Sequence, residues 1–390
     1  MSAHPGASLR AMRILVCGWL GSTNLGDELV FAGIRSLIAQ TFESPSICAV
    51  SIDPQATVRD HGVTAIDHRR VDRIEHAART ADLVVLGGGG LIQDRTSALN
   101  LPYHLSRLGL AALGSTPLVA LALGVGPLTT RLGRRLASSL RWASAVTVRD
   151  EPSRELLAGL GVPAELAADA AFHLDWPTEA DIDIEAAGGA DAAETAGGGS
   201  EDVIAVSLRP WSTRRHRLPV GWRRGGTREP AWFVPTLAKG LEAASRSTGL
   251  PIRFLALQSD RDHLIHRAVA EAMDTPTELA VPSSHSLSQE IGRARVVVGM
   301  RYHAGIAATL SGKPSVLIGY DPKVDALAET LGEGARHLPF DPAALASIGD
   351  AIEAQLRSAA APSAVLAAAS SLRSRARTNA DALRRAAATS

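Results

Sequence analysis

Short apolar runs alternate with helical patterns along most of the chain, and that alternation leaves few folds open. Runs at Arg13–Trp19, Ile47–Ile52, Leu83–Leu86, Leu118–Leu123 and Ala145–Val148 read as buried strands, with helical stretches at Glu28–Gln40, Ala98–Leu113 and Ser153–Leu160 among them. Such a sequence builds βαβ units around a parallel sheet. The pattern stops at residues 186–200, AAGGADAAETAGGGS, which hold no large apolar side chain. A stretch of that composition buries too little surface to order itself and reads as a flexible linker. Beyond it the alternation resumes, with strands at Val203–Leu208, Ile252–Leu257, Val296–Val298 and Ser315–Ile318 and helices at Val234–Arg246, Asp262–Ala272, Ala304–Leu310 and Asp325–Leu331. At roughly 150 residues per domain, 390 residues fit two large domains. The expected organisation is an N-terminal α/β domain over 13–185, the linker 186–200, a second α/β domain over 201–345, and Ala- and Arg-rich helices over 346–390. Ligands in such sheets bind beyond the carboxyl ends of the strands.

Composition narrows the function. Forty basic residues balance forty acidic ones, which argues against a protein that coats nucleic acid through bulk charge. Two cysteines, Cys17 and Cys48, are too few for a disulfide framework or a Cys-built zinc site. No basic segment precedes a long apolar one at the N-terminus, so no signal peptide is expected. The uncharged stretch Gly109–Leu128 carries four Gly and two Pro and reads as a helix end followed by a buried strand, not a membrane span. The expected compartment is the cytoplasm.

Chemistry gathers at the strand ends. The first strand runs into Gly18-Trp-Leu-Gly-Ser-Thr-Asn-Leu-Gly-Asp27-Glu28. This is neither GxGxxG nor a P-loop, though a glycine-rich turn entering a helix favours an anion. On spacing alone Asn24 and the two acids fit a helix cap best; Asp27 also fits a general acid or base. The run Leu83–Leu86 ends in Gly87, Gly88, Gly89 and Gly90, read either as a tight turn or as backbone N–H groups lining a phosphate or sugar. Arg149, Arg209 and Arg301 close three further strands, His303 follows Arg301 by two residues, and Lys323 follows Ser315–Ile318 as one of only three lysines. Arg and Lys converging on strand ends suit a doubly charged phosphate or carboxylate. For Arg149 a surface Arg–Asp pair is the plainer reading; a lone His is more often structural, but His303, two residues after Arg301 at the ligand rim, reads as functional. Between Trp211 and Trp232 lie three of the six tryptophans and six arginines, which fit either a solvated insertion or a loop binding an anionic partner.

The ordered set GSTNLGDE, LGGGGLIQD, LGVGPL, TVRDEPS, SLRP, GMRYHAGIAA and GYDPKV resembles the polysaccharide pyruvyl transferases over residues 13–335, closest to the bacterial CsaB type that modifies secondary cell-wall polymers. The resemblance implies two Rossmann-like domains facing a cleft, similar to the GT-B glycosyltransferase fold. It implies phosphoenolpyruvate as donor co-substrate, a lipid-linked saccharide as acceptor, a pyruvate ketal as product, and neither cofactor nor metal. It assigns Arg149, Arg209, Arg301, His303 and Lys323 to the donor, with His303 also a general acid near the phosphate. It makes Asp27 the acid/base toward the acceptor, with Asn24, Gly88, Gly89 and Gly90 positioning acceptor or loop. An enzyme of this kind is expected in the cytoplasm, peripheral on the inner membrane face, with 211–232 as a transient contact. Two alternatives stand beside it. A GT-B nucleotide-sugar glycosyltransferase would need a ribose-binding acid, for which Glu290 is the stand-in. In a non-catalytic sugar-phosphate-binding protein, Asp27 and His303 would only cap helices.

Overall fold

The computed structural model describes residues 11–95, 99–177, 202–211 and 229–388. The expected linker 186–200 lies outside them, as does most of the Arg/Trp-rich stretch, residues 212–228.

Two parallel sheets form the frame. The first holds seven strands, β1 (Arg13–Leu20), β2 (Ser46–Ser51), β3 (Thr64–Asp67), β4 (Leu83–Ile92), β5 (Leu118–Val125), β6 (Ala145–Val148) and β7 (Glu165–Leu166), in the order β3-β2-β1-β4-β5-β6-β7. The second holds six, β8 (Val203–Ser207), β9 (Ile252–Leu255), β10 (Thr277–Ala280), β11 (Ala294–Gly299), β12 (Ser315–Gly319) and β13 (Ala335–Pro339), in the order β10-β9-β8-β11-β12-β13. Both are doubly wound, with the strand order reversing beside β1 and β4 in one and β8 and β11 in the other. Strands buried on both faces read as unbroken apolar runs; all eight residues of β5, LVALALGV, are buried. The first sheet divides its core accordingly, Leu15, Cys17 and Leu86 to one side and Ile14, Val16 and Val85 to the other.

The two halves share core. Leu25 and Leu29, on the helix Leu25–Thr41 that follows β1, pack in the second domain's cluster with Ala171, Phe172 and Trp176. The backbone is stitched at the same place: Leu25 N–H donates to Leu257 O at 2.7 Å, and Asn24 forms an antiparallel bridge to Gln258. The C-terminal residues form two helices. Ile348–Arg357 packs on the helix Phe233–Thr248, where a Cβ on Gly240 would lie 2.3 Å from Ile348 Cγ2. The 27-residue helix Ala361–Ala387 then crosses both halves, giving Leu372 and Ala376 to the second domain and Ala382, Leu383 and Ala386 to the first.

Candidate functional site

The segments that follow β1, β8, β9, β11 and β12 meet between the domains and carry Asn24, Asp27, Arg209, Arg301, His303 and Lys323, whereas Arg149 follows β6 and Gly88, Gly89 and Gly90 lie within β4. Asn24 caps the helix Leu25–Thr41: its Oδ1 accepts from Gly26 N–H at 3.3 Å, while its Nδ2 donates to Asp27 Oδ2 at 2.6 Å. Capping and positioning are therefore one arrangement. Asp27 is half-buried. Burial pushes its carboxyl up to about 6 against the opposing pull of His303 and the Asn24 hydrogen bond, with Glu28 adding to the rise and Lys323 opposing it. Glu28 turns away, accepting from Gly21 N–H and bonding His61 Nε2 at 2.8 Å.

His303 stands in the first turn of the helix Tyr302–Leu310 and crosses to the other domain. A Cβ on Gly26 would lie 2.1 Å from its Nδ1, so only glycine admits the ring there. Its Nε2 lies 3.7 Å from Asp169 Oδ2. Asp169 is 1% exposed, caps the short helical turn Ala170–His173, and receives Arg149 Nη1 at 2.8 Å. Burial alone would raise Asp169, but the nearby His303, the charge of Arg149 and the Ala171 N–H together hold it well below the usual carboxylate range. A carboxylate behind an imidazole fixes the orientation of its ring.

Arg149 is 3% exposed, not a surface residue, with its guanidinium 4.1 Å above the Tyr302 ring and against the backbone of Gly124. It lies behind Asp169 and Tyr302 and is closed to a ligand by them. Arg301 is also committed. Its Nε donates to Asp262 Oδ2 at 2.9 Å, its Nη2 bonds Asp262 Oδ1 and Gln258 Oε1, and Asp262 is fully buried. Nη1 makes no bond among the described residues. Arg209 Nη1 donates to Tyr320 OH at 2.8 Å, with the guanidinium 4.8 Å from that ring. Burial would raise the Tyr320 phenol, but Lys323 and Arg209 hold it below its ordinary value. Lys323 thus acts electrostatically on both Asp27 and Tyr320, and its ammonium has no hydrogen-bond or ion-pair partner among the described residues.

The four glycines fall into different roles, and none forms a tight turn, because β4 continues through them to Ile92. A Cβ on Gly87 would meet Ile34, and one on Gly88 (φ +74°) would lie 1.8 Å from Val30 Cγ1. Those two admit the helix Leu25–Thr41 against the strand. Gly89 (φ +76°) faces Asp27, its Cβ position 3.3 Å from Oδ1, and Gly90 is open and exposed. Only Gly89 and Gly90 border the site.

Several residues here were not singled out from sequence: Asp169, Asp262, Gln258, Tyr302 and Tyr320. Trp19 is another, 41% exposed at the end of β1 and braced edge-on by Tyr103 and His104 at 6.0 Å. An aromatic at the carboxyl end of the first strand, just before a glycine-rich turn, was its available signal. Trp211 and Trp232 pack into an aromatic cluster with Phe340, not outward, and Arg95 of the first domain lies 5.3 Å from the Trp211 ring. Glu290 is bonded twice to Arg253 near the start of β9, at 2.6 and 2.8 Å, and is closed to a ribose. Among the described residues no helix is long and apolar enough to cross a membrane, and no His/Cys/Asp/Glu group suits a metal ion.

The family model described as polysaccharide pyruvyl transferase matches residues 24–322, from the Asn24 cap to the start of the helix Pro322–Leu331. No curated protein matches the chain. Solved structures of similar shape include the UDP-GlcNAc 2-epimerase of Neisseria meningitidis bound to UDP-GlcNAc, 11% identical, covering 97% of this chain and 100% of that one at TM-score 0.58. A glycosyltransferase of Rickettsia africae is 11% identical over 96% and 97% of the two chains at TM-score 0.56. The UDP-GlcNAc 2-epimerase of Methanocaldococcus jannaschii is 10% identical over 89% and 93% at TM-score 0.57. At these identities the likeness is one of fold, two facing α/β domains of the GT-B type.

Proposed function

The chain belongs to the polysaccharide pyruvyl transferase family, and from that premise we propose that it moves the enolpyruvyl group of phosphoenolpyruvate onto two hydroxyls of a lipid-linked cell-wall saccharide, forming a pyruvate ketal and releasing phosphate. The observation that carries this reading is Asp27. Its carboxyl, raised to about 6, feels both the Asp169-backed His303 and Lys323, whose ammonium is unpartnered among the described residues, where the two domains meet. A donor with a phosphate and a carboxylate needs cations, and a hydroxyl nucleophile needs a base near neutrality.

Lys323, Arg209 and Nη1 of Arg301 supply the positive charge for the donor. A proton adds to C3, making C2 electrophilic. One acceptor hydroxyl bonds to C2 and gives its proton to Asp27. The C2–O bond to phosphate then breaks as His303, held by Asp169, donates a proton to the departing oxygen. The second hydroxyl closes the ketal and gives up its proton, so two protons enter and two leave. Arg149 acts from behind, fixing Asp169. Trp19 and Gly90 line the acceptor side.

Phosphate release from phosphoenolpyruvate, driven by a lipid-linked N-acetylmannosamine-containing saccharide, tests the roles. Asp27→Asn and His303→Ala are each expected to lower kcat by about 10²–10⁴-fold, with donor affinity kept in Asp27→Asn. Variants that turn over at the wild-type rate would overturn the assignment. Nucleotide-sugar transfer on the same fold draws support from the epimerase bound to UDP-GlcNAc, but the acid expected to hold a ribose, Glu290, is committed to Arg253.

A further inference from the structure

Forty acids are spread through the chain, yet none falls in residues 95–149, a stretch that holds seven arginines. Much of this stretch forms one side of the first domain, the helix Asn100–Leu113 packed beside Arg131–Ala137 and the 3₁₀ turn Ser138–Trp142. The outward stripe of the first helix, Pro102, Ser106, Gly109 and Ala112, is exposed and uncharged. Large apolar side chains stand out beside it: Leu113 is 59% exposed, Leu132 65% and Trp142 77%. Arg131, Arg134, Arg135 and Arg141 are exposed among them, and none has an acidic partner among the described residues. Arg134 and Arg141 touch only backbone carbonyls, those of Leu128, Ser138 and Leu160. Of the acids on neighbouring elements, Asp72 pairs with Arg70, Glu75 with Arg79, Glu151 with Arg154 and Glu165 with Arg385. Asp94 is held by Thr129 and Thr130 before the helix Arg131–Ala137, and Glu155 stands exposed without an ion pair among the described residues.

We propose that this face docks on an anionic lipid bilayer. Arginines without acidic partners supply attraction to the headgroups, while exposed Trp and Leu enter the interfacial region, the combination that marks monotopic membrane contact. A nucleic-acid surface would share the charge and could stack a base on Trp142, but the two exposed leucines and the uncharged helix stripe beside it suit an apolar interfacial layer and not stacked bases. The face also reaches the site. Asn100 Nδ2 donates to Leu91 O at 2.6 Å and to Gln93 O at 3.0 Å, so the helix that carries the apolar stripe starts at the end of β4, beside Gly90. Docking there would hold the cleft mouth at the bilayer, where a lipid-carried acceptor resides. That consequence rests on the proposed acceptor; the docking itself does not.

Co-sedimentation with vesicles of phosphatidylglycerol and phosphatidylcholine, against phosphatidylcholine alone, tests this with the full chain and neither substrate. The wild type is expected to bind the anionic vesicles and to release as salt rises. Each arginine is worth roughly fivefold in partition near such a surface, so Arg131→Gln with Arg135→Gln, which breaks no hydrogen bond, is expected to weaken binding about 25-fold. Trp142→Ala should weaken it at unchanged charge, and unaltered thermal melting of both variants shows that the fold survives. A wild type that ignores anionic vesicles overturns the proposal. Binding untouched by these variants overturns it too, placing the contact elsewhere. Binding that survives Trp142→Ala and is competed away by single-stranded RNA overturns it in favour of a nucleic-acid surface. Because no turnover is read, failure of the ketal chemistry would leave this result unchanged.

Discussion

Asp27 and His303 come from different domains, and one missing methyl group lets them meet. A Cβ on Gly26 would fall 2.1 Å from His303 Nδ1, so Gly26→Ala must displace the ring. Expected is a loss of kcat comparable to His303→Ala, with the fold retained by circular dichroism; a fully active alanine variant would contradict the placement. Asp27 also sets a pH dependence. Its folded value of about 6 exceeds the ordinary 3.8, so the folded state binds this proton more tightly than the unfolded one. The resulting cost to stability is absent below about pH 4, grows as pH rises to about 6, and is constant above. Relative to the wild type, Asp27→Asn should therefore gain stability across that window, read by denaturant titration at pH 4, 5, 6 and 7. As a base Asp27 works ionised, so kcat should climb through pH 6, and a flat profile would contradict that role. The sequence placed Asn24, Asp27, His303 and Lys323 at strand ends because strand ends are where such sheets hold ligands. It did not reveal Asp169, which lies on the turn after a two-residue strand and gains meaning only when Arg149 and His303 arrive from 20 residues before it and from the other domain.

At the scale of the element, β4 shows how a glycine run divides its labour. Gly87 and Gly88 admit the helix that carries Asp27, while Gly89 and Gly90 border the site. Gly88→Ala puts a methyl 1.8 Å from Val30 Cγ1 on backbone with φ +74°, and overpacking with left-handed strain is expected to cost about 2–4 kcal/mol. Gly90→Ala meets nothing within 4 Å and should leave stability within about 0.5 kcal/mol. Equal effects of the two, by chemical denaturation, would contradict the division. Reading the run as a turn failed because glycine signals close approach without saying to what, and here the approach is side-on, by a helix. Long apolar strands such as β1 and β5 were plain in the sequence. Edge strands β3, β7, β10 and β13 were not, because they are two to five residues long and partly polar, so the sheet around them supplies what their own pattern lacks.

The whole molecule is less an open pair of domains than two sheets sharing core. Leu29 is 2% exposed and sits on a first-domain helix inside the second domain's cluster. Leu29→Ala should cost about 2–5 kcal/mol and lower kcat as well, since the same helix carries Asp27; a stability loss with full activity would show that the domains need not be locked for catalysis. The long helix Ala361–Ala387 adds a second bond between the halves. Its Asn379 is fully buried, donating to Ala168 O at 3.1 Å and accepting from Thr147 at 2.7 Å, immediately before Asp169. From sequence this helix could be assigned to either domain, since an Ala-rich surface fits both. The central claim is that the cations gathered between the domains hold phosphoenolpyruvate, and calorimetric titration tests it most directly, with phosphoenolpyruvate and with UDP, on the wild type and on Lys323→Ala. Expected is binding of phosphoenolpyruvate but not UDP, weakened at least tenfold in Lys323→Ala. Binding of UDP alone, or phosphoenolpyruvate binding that Lys323→Ala leaves unchanged, would contradict it.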